Sequence, residues 1–241
     1  MSEVNALKSD DIPKKVGSPV FQFSNSVDCV IFGYDAGVLK VLLIKSDLPQ
    51  FYGQWSVLGD HVLVDEDLDR ASYRVLRERT GLTNMFLEQV KTFSAIDRHP
   101  AGRVITTAFI SLVNVKDHQL NILDNELQWH PVEDITIMAF DHKLIFDTCL
   151  LTLRKKIQEE PIIFNLLEKK FSLRDLQLLF EEILHIEFDR RNFRKKLFAT
   201  GMLKDEHEME SGVPHRPGKL YSFNKEAFEK VKGKSFVGLQ F

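Results

Sequence analysis

Leu58 to Leu82, with the sequence LGDHVLVDEDLDRASYRVLRERTGL, is the stretch whose residue types and spacing could do chemistry. Its pattern is typical of the loop and helix used in phosphate chemistry, where carboxylates gather a divalent cation that activates water. Several positions that would need a carboxylate carry another residue type instead. The stretch is therefore either a working active site or a former one that has been put to another use.

The patterns next to this stretch predict the elements that position it. VDCVIFGYDAGVLKVLLIKSD predicts two apolar strands joined by a turn at Tyr34–Gly37. A helix is predicted from Asp67 to Thr80, and Gly81 ends it. The apolar residues at helical spacing in it are Leu68, Ala71, Val75 and Leu76.

The next elements complete a first domain. Strands are predicted at Leu87–Ile96, at Val104–Val113 and in ELQWHPV. A helix is predicted from Phe140 to Ile157, with Asp141 as its cap. The residues expected to share one face of this helix are Leu144, Ile145, Thr148 and Leu151. Strands covered by helices on both sides predict an α/β sandwich up to about residue 158.

The pattern changes at Pro161, which breaks the preceding helix. Three short helices are predicted, over Pro161–Glu168, Ser172–Ile183 and Asp189–Thr200. Ser172 with Asp175 resembles an N-cap with an acidic third residue, and Asp189 is the cap of the last helix. SGVPHRPGKLYSF predicts a basic loop leading into an edge strand. These patterns predict a winged helix-turn-helix, in which two helices are followed by a basic helix and then by a hairpin with Arg and Lys at its tip.

Charge is distributed unevenly along the chain. The formal net charge is -3, but residues 161–241 hold 15 basic and 12 acidic residues, so this part carries +3 and the remainder -6. The segment from Arg190 to Lys204 contains six basic residues and no acidic one. The basic residues are Arg190, Arg191, Arg194, Lys195, Lys196 and Lys204. Such a cluster predicts a phosphate-binding face, with a solvated helix surface as the alternative.

Cysteine usage and the apolar runs narrow the class of protein. Cys29 and Cys149 each lie in an apolar run, which predicts buried, reduced thiols of a cytoplasmic protein rather than a disulfide or metal framework. No apolar run approaches the ~18 residues of a membrane span. We expect a soluble protein with no membrane partner, no metal and no cofactor.

Four histidines are scattered without the spacing of a metal site, and we expect structural roles for them. They are His61, His99, His130 and His142.

The loop and helix resemble the box of the Nudix hydrolases, G-x5-E-x7-R-E-U-x-E-E-x-G-U, where U is aliphatic. The spacing fits throughout Asp60 to Leu82. The matching residues are Glu66, Arg74, Leu76, Glu78, Gly81 and Leu82.

Three departures fall on the chemistry of that box. Asp60 stands in place of the box glycine, Val75 in place of the glutamate after the arginine, and Arg79 in place of the second glutamate of the pair. In the enzymes these glutamates gather Mg²⁺ or Mn²⁺, so the resemblance implies a catalytically degenerate box and no enzyme. Arg74 and Glu78 lie four residues apart, and we expect them to form an intrahelical ion pair.

The resemblance extends to the NrtR family of Nudix-related transcriptional regulators. The segments that carry it are DRHPAGRVITTAFISLV, WHPVEDITIMAFDHKLIFDTCLLTLR, FSLRDLQLLFEEILHIEFDRRNFRKKLFATGML and PHRPGKLYSF. It implies a mixed α/β (α+β) chain with a Nudix-like α/β/α sandwich over residues 20–158 and a winged helix-turn-helix DNA-binding domain over 159–241. The polar N-terminus MSEVNALKSDDIPKKVGSP predicts a flexible leader over residues 1–19.

The family resemblance also implies that the basic helix binds DNA. Because arginine can bond guanine bidentately and asparagine can bond adenine, the candidates for base contact are Arg190, Arg191, Asn192 and Arg194. Phosphate contacts are expected from Arg174, Lys195, Lys196, Arg216 and Lys219. For any one of these residues a solvated surface is an equal alternative. The buried side of the helix is expected to be Phe193, Leu197 and Phe198.

One monomer offers one short helix, so a homodimer on a palindromic operator is expected.

The residues around the box bear on the effector. Several members of the family sense ADP-ribose or related nucleotides, whereas Asp60 would add negative charge where a pyrophosphate sits. Sugar hydroxyls donate hydrogen bonds to aspartate, and the pattern resembles the sugar-catabolism branch typified by the arabinose regulator AraR. A repressor of carbohydrate catabolism genes, released from its operator by L-arabinose, is therefore the leading expectation. The expected lining of the pocket is Asp28, Lys45, Trp55, Asp60 and Thr107.

Other interpretations stay open beside this one. Trp55 is alternatively a core residue, and Thr107 an ordinary strand residue. The effector is alternatively ADP-ribose or another nucleotide. The chain is alternatively a residual Nudix pyrophosphohydrolase.

Overall fold

The computed structural model describes residues 23–83, 85–116 and 127–231, so the leader expected over residues 1–19 lies outside the described residues. The elements within these ranges form a larger mixed sheet, a three-stranded sheet and the helices that cover them. None of the helices in the described ranges is long and apolar enough to cross a membrane.

The elements follow the predicted order closely, except that residues 161–166 form a 3-10 helix. In chain order they are β1 (Ser24–Asp35), β2 (Val38–Lys45), β3 (Trp55–Ser56), β4 (Leu58–His61), α1 (Leu68–Thr80), β5 (Phe86–Phe93), β6 (Val104–Asn114), β7 (Leu127–Pro131), α2 (His142–Glu159), β8 (Phe171–Ser172), α3 (Leu173–Leu184), α4 (Arg190–Ala199), β9 (Leu203–Met209), β10 (Lys219–Phe223) and α5 (Lys225–Val231).

The larger sheet is built around β1. Its strand order is β3-β2-β1-β6-β5, with β4 also paired to β1 and β7 to β2. β1 and β6 are parallel, and the other pairs are antiparallel. The predicted hairpin is confirmed: its turn passes through Ala36 and Gly37 with φ of 51° and 84°, the positive values that a tight hairpin turn requires.

Both faces of the larger sheet are covered by helices. Side chains alternate along β1, so that Val27 and Ile31 belong to the cluster under α1, while Val30 and Phe32 belong to the cluster under α2. The predicted α/β/α sandwich is thereby confirmed.

The predicted apolar face of α2 is wrong, although the helix itself is confirmed. Leu144 and Leu151 are 58% and 69% exposed, while only Ile145 of the predicted set is buried. The residues of α2 that face the sheet are Ile145, Phe146, Cys149, Leu150, Leu153 and Ile157. Both apolar stripes satisfy helical spacing, and contact with the sheet decides which one is buried.

The C-terminal region has the predicted winged-helix order. The Ser172–Asp175 capping box starts α3, and the Asp189 carboxylate accepts the backbone N–H of Asn192 at the start of α4, so both predicted caps are confirmed. The prediction that the strand after the basic loop is an edge strand is wrong. β10 pairs with both β8 and β9 and therefore lies in the centre of the three-stranded sheet.

A continuous apolar cluster joins the sandwich to the winged helix. Hydrogen bonds also cross the junction. The backbone N–H of Leu39, on β2, donates to the Glu182 carboxylate on α3 at 2.9 Å. The Arg154 Nε–H, on α2, donates to the carbonyl oxygen of Ile183 at 2.8 Å. The winged helix is thus held against both the β1–β2 hairpin and the second half of α2.

Candidate functional site

A cavity of about 290 Å³ lies where the first half of β1 meets the end of β2, β3, β4 and the start of α2. We call it the β1 pocket. The charged and histidine side chains that line it are Asp28, Lys45, Asp47, Asp60, His61, Arg79, Arg98, His99 and His142. Three carboxylates face three cations, so the lining has no net charge when its histidines are neutral.

The floor of the β1 pocket is a buried ionic network. The Arg98 guanidinium donates to both Asp141 carboxylate oxygens, at 2.9 and 2.7 Å, and its Nη2 lies 3.5 Å from Asp28 Oδ2. This carboxylate oxygen of Asp28 is buried and has no hydrogen-bond partner. The Arg98 charge stabilises this oxygen, and a hydroxyl donor brought to it would complete its hydrogen bonding. Asp141 is the N-cap residue of α2, as predicted, but its side chain makes no cap bond because Arg98 holds the carboxylate.

His142 closes the floor in a defined tautomer. The backbone N–H of Val57 donates to Nδ1 at 3.3 Å, and Ser56 Oγ lies 2.8 Å from the same nitrogen. Because Nδ1 accepts, the ring proton sits on Nε2, which faces Asp28 Oδ1 at 3.8 Å. Burial lowers the pKa of His142, against the opposing effect of the Asp28 and Asp141 carboxylates. The ring is therefore a neutral N–H donor to the pocket.

Aromatic rings form one rim of the β1 pocket. Phe140 stacks on His99 with ring centroids 5.1 Å apart and planes at 9°, and it contacts Phe51 at 4.3 Å. Phe140 has a φ of 54°, an unusual backbone conformation for a bulky residue. The ring is therefore held at the rim by its neighbours at a cost in backbone strain.

Protonation of His142 is expected to destabilise the fold. The pKa of His142 is lowered in the folded chain, so below about pH 6.5 the unfolded chain binds a proton that the folded chain does not. The free energy of unfolding should then fall with pH by up to about 1.4 kcal/mol per pH unit for this group. Urea unfolding between pH 7.5 and 5.5 measures the slope, and His142→Gln should reduce it. The facing groups Asp28, Asp141 and Arg98 are unchanged in both proteins, so equal slopes would contradict the prediction.

The opposite wall of the β1 pocket comes from the loop and helix of the box. The Asp60 carboxylate accepts the His61 backbone N–H at 2.7 Å and lies 3.8 Å from Arg79 Nη2. Arg74 on α1 donates to Glu66 at 2.7 Å and to the His61 carbonyl oxygen at 2.7 Å. These contacts fix the loop against the helix.

The two glutamates of the box, Glu66 and Glu78, are both paired with Arg74. Glu66 is occupied by Arg74 and by the Leu63 backbone N–H, and these hydrogen bonds hold its pKa below the usual range. The predicted Arg74–Glu78 ion pair is confirmed at 3.3 Å. Val75 is buried in the core under α1. Among the described residues there is no group of three or more His, Cys, Asp or Glu side chains that could hold a metal.

Arg74 is expected to matter for stability far more than Glu78. Arg74→Ala removes the charge-assisted bonds between helix and loop, and we expect a loss of about 2 kcal/mol in the free energy of unfolding. Glu78→Gln removes a half-exposed pair on one helix and should cost at most about 0.5 kcal/mol. Urea denaturation of the two variants checks both values, and equal losses would contradict the assignment of Arg74 to the loop.

The structure places three of the five residues expected to bind the effector in the β1 pocket, namely Asp28, Lys45 and Asp60. Trp55 does not line it: its ring packs edge-on against His130 at 4.3 Å, with Lys45 Nζ 5.4 Å from the ring centre. Thr107 does not line it either, and its hydroxyl lies 3.1 Å from that of Thr92 across the sheet. The other lining residues were not in the expected set, and they include Asp47, Arg79, Arg98, His99, Phe140 and His142.

A second, larger groove of about 900 Å³ lies in the winged helix. It runs between the start of α3, the start of α4 and the β9–β10 hairpin. Five of the expected DNA contacts line it, namely Arg174, Arg190, Arg194, Arg216 and Lys219. Lys219 Nζ also bonds the Asp205 carboxylate at 2.8 Å.

The remaining expected contacts are exposed on α4, and they are Arg191, Asn192, Lys195 and Lys196. Phe193 and Leu197 are buried as predicted, whereas Phe198 is 49% exposed and the prediction that it is buried is wrong. Its ring makes an edge contact with Tyr221 at the helix margin, with centroids 5.7 Å apart.

Comparison with known proteins agrees with this two-part architecture. A NUDIX domain model matches residues 23–149, and a model of the NrtR DNA-binding winged helix domain matches residues 163–223. The ADPR responsive transcriptional repressor NtrR of Acinetobacter baylyi is 30% identical over 204 residues, which span 82% of this chain and 81% of the relative. The chain belongs to the NrtR family.

Solved NrtR structures have the same fold. Shewanella oneidensis NrtR complexed with a 27mer DNA superposes with a TM-score of 0.76 at 25% identity, covering 85% of this chain and 95% of that one. The NUDIX domain of the same NrtR complexed with ADP ribose gives 0.51 at 26% identity, covering 56% and 90%. An ADP-ribose pyrophosphatase of Methanocaldococcus jannaschii is 32% identical over 108 residues, 44% of this chain and 63% of that enzyme.

Proposed function

We propose that this NrtR-family chain is a DNA-binding transcriptional repressor whose DNA affinity is set by an effector in the β1 pocket. The observation that carries the proposal is α4. It presents five exposed basic side chains and no acidic one on a helix anchored by buried Phe193 and Leu197. A basic, exposed helix in a winged-helix domain is the element that enters the major groove of DNA.

The size of this helix supports a dimer. Ten residues reach only a few base pairs, so a specific operator requires two half-sites read by a symmetric pair of subunits. We propose a homodimer on a palindromic operator. Effector binding would favour a dimer arrangement in which the two α4 helices no longer match the half-site spacing, and the repressor would be released.

Two effectors have separate support. The names of the relatives favour ADP-ribose, since one is an ADPR responsive repressor and a solved NrtR domain binds ADP ribose. ADP-ribose is therefore the effector to test first, ahead of the sugar that the sequence favours.

The chemistry of the β1 pocket supports L-arabinose as the second candidate. The lining has no net charge to attract a pyrophosphate, and the unpartnered Asp28 oxygen suits a hydroxyl donor. The volume of about 290 Å³ lies at the lower end of the range for small-molecule sites, which fits a compact ligand. With this effector the regulated genes would belong to carbohydrate catabolism.

Fluorescence anisotropy tests the proposal. Labelled duplexes from upstream of the gene and its neighbours are titrated with the full chain at stated salt, with and without ADP-ribose or L-arabinose. If the chain binds one duplex tightly and only one of the two ligands releases it, that duplex contains the operator and that ligand is the effector. Binding no tighter than to unrelated DNA would overturn the repressor assignment, and release by neither ligand would overturn both effectors.

We also propose that the chain does not hydrolyse nucleoside diphosphates. The support is the set of contacts around Arg74, which occupies Glu66 and lies beside Glu78 where a cation would have to bind. Incubation with ADP-ribose and Mg²⁺ should release no phosphate product above background. Turnover well above background would favour the residual pyrophosphohydrolase instead.

A further inference from the structure

Four of the five basic residues of α4 lie in two rows with different surroundings. Arg190 and Arg194, one turn apart, both line the groove between α3, α4 and the β9–β10 hairpin. Arg191 and Lys195, also one turn apart, are exposed and do not line it. At about 100° per residue, the first row lies about 60° around the helix axis from the buried side chains, and the second about 160°. The second row therefore forms the outward crest of the helix.

The orientation of α4 is fixed by its connection to α3. Glu181 Oε1 accepts the Phe188 backbone N–H at 2.9 Å and the Gln177 amide N–H at 2.8 Å. The same Gln177 amide also donates to the Phe188 carbonyl oxygen at 3.0 Å. Phe193 packs edge-on against Phe180 with centroids 5.8 Å apart. The two rows therefore keep fixed directions relative to the groove.

The groove suits a phosphate backbone. Five cationic side chains line it against three carboxylates, those of Glu181, Glu187 and Glu210. Glu181 is held by Phe188, and Glu210 Oε2 accepts the Gly218 backbone N–H at 2.7 Å, so two of the three carboxylates already have donors. A concave, cationic surface can follow a phosphodiester strand, whereas a convex helix crest can enter a groove and reach base edges.

We propose that Arg191 and Lys195 are the specificity-determining residues of α4, and that Arg190 and Arg194 bind phosphates. This assignment rests on the proposed operator binding. The sequence predicted base contacts for Arg190 and Arg194, which are here assigned to phosphates. It predicted a phosphate contact for Lys195, which is here assigned to bases. Both crest side chains can bond guanine O6 and N7, so each half-site should contain guanine at the positions they reach.

Selection from a randomised duplex library tests the assignment. The full chain and its single alanine variants at the four positions are compared at fixed salt, with Arg77→Ala on α1 as an exposed arginine control. Arg191→Ala and Lys195→Ala should each lose about 10-fold preference at one base pair per half-site. Arg190→Ala and Arg194→Ala should weaken binding to all duplexes alike and reduce the slope of log K against log salt by about 1.

A conservative variant separates base recognition from charge. Arg191→Lys keeps the positive charge but loses the bidentate fork, so it should relax the base preference and leave the salt slope unchanged. The assignment would be overturned if the Arg191 and Lys195 variants bound all duplexes equally weakly while the Arg190 or Arg194 variants changed the base preference. If the unaltered chain selects no sequence, operator binding itself fails. If it selects one and the two rows behave alike, only this assignment fails.

Discussion

Arg98→Met is expected to lower the free energy of unfolding by about 3–5 kcal/mol, the largest effect of any single substitution considered for this chain. Arg98 is buried, pairs bidentately with Asp141 and lies 3.5 Å from Asp28. Removing the cation leaves two carboxylates close together with no compensating charge, and desolvation penalises both. Urea denaturation followed by circular dichroism measures the loss.

Two controls distinguish the ionic network from the general effect of losing a long side chain. Arg103→Met lies on the same loop, and its guanidinium bonds the carbonyl oxygens of Ser94 and Ala95 rather than a carboxylate. It should cost about 1 kcal/mol. Arg98→Lys keeps the charge but cannot make the bidentate bond to Asp141, and should fall between the two. Equal losses for Arg98→Met and Arg103→Met would show that the buried carboxylates do not depend on Arg98.

Gly59→Ala is expected to weaken effector binding at least 10-fold and to cost about 1–3 kcal/mol of stability. Gly59 pairs with Asp28 across β1 and β4, and the Asp28 carboxylate lies directly over its Cα. A Cβ at this position would overlap Asp28 Oδ1 and would come within 2.9 Å of the Val27 carbonyl oxygen. The added methyl therefore requires the Asp28 carboxylate to move from its position in the pocket floor.

A double variant tests that cause. Asp28→Ala combined with Gly59→Ala removes the overlapping carboxylate, so the stability lost by the pair should be less than the sum of the two single losses. Urea denaturation and ligand titration by calorimetry give the two readouts. Additive losses would show that Gly59 matters for another reason, such as its contact with the Val27 carbonyl.

Local patterns in the sequence were sufficient for much of the fold. The β1–β2 turn, the start and end of α1 and the caps of α3 and α4 depend on residues within a few positions of one another. The buried face of α2 was not predictable in this way, because Leu144 and Leu151 satisfy helical spacing as well as the stripe that meets the sheet. The central place of β10 depends likewise on its pairing with β8, which is distant in sequence.

The β1 pocket shows the same division. Asp28, Lys45 and Asp60 were found because β1, β2 and the box loop are close in sequence. Arg98, His99, Phe140 and His142 come from distant segments that meet the pocket only after β1 pairs with β6 and α2 crosses the sheet. The signals were present as charged and histidine residues within IDRHPAGR and MAFDHK, but their spacing resembled no ligand motif.

α2 lines the β1 pocket with its first residue and contacts the winged helix through its second half, and this has a thermodynamic consequence. Its first residue, His142, lines the β1 pocket, and its Arg154 bonds the last turn of α3, about 18 Å away at 1.5 Å per residue. A helix transmits displacement along its axis with little loss, since its backbone hydrogen bonds keep it stiff. If the effector shifts α2, effector and operator share one coupling free energy. Operator DNA must then weaken effector binding by the same factor by which effector weakens operator binding, whichever is added first.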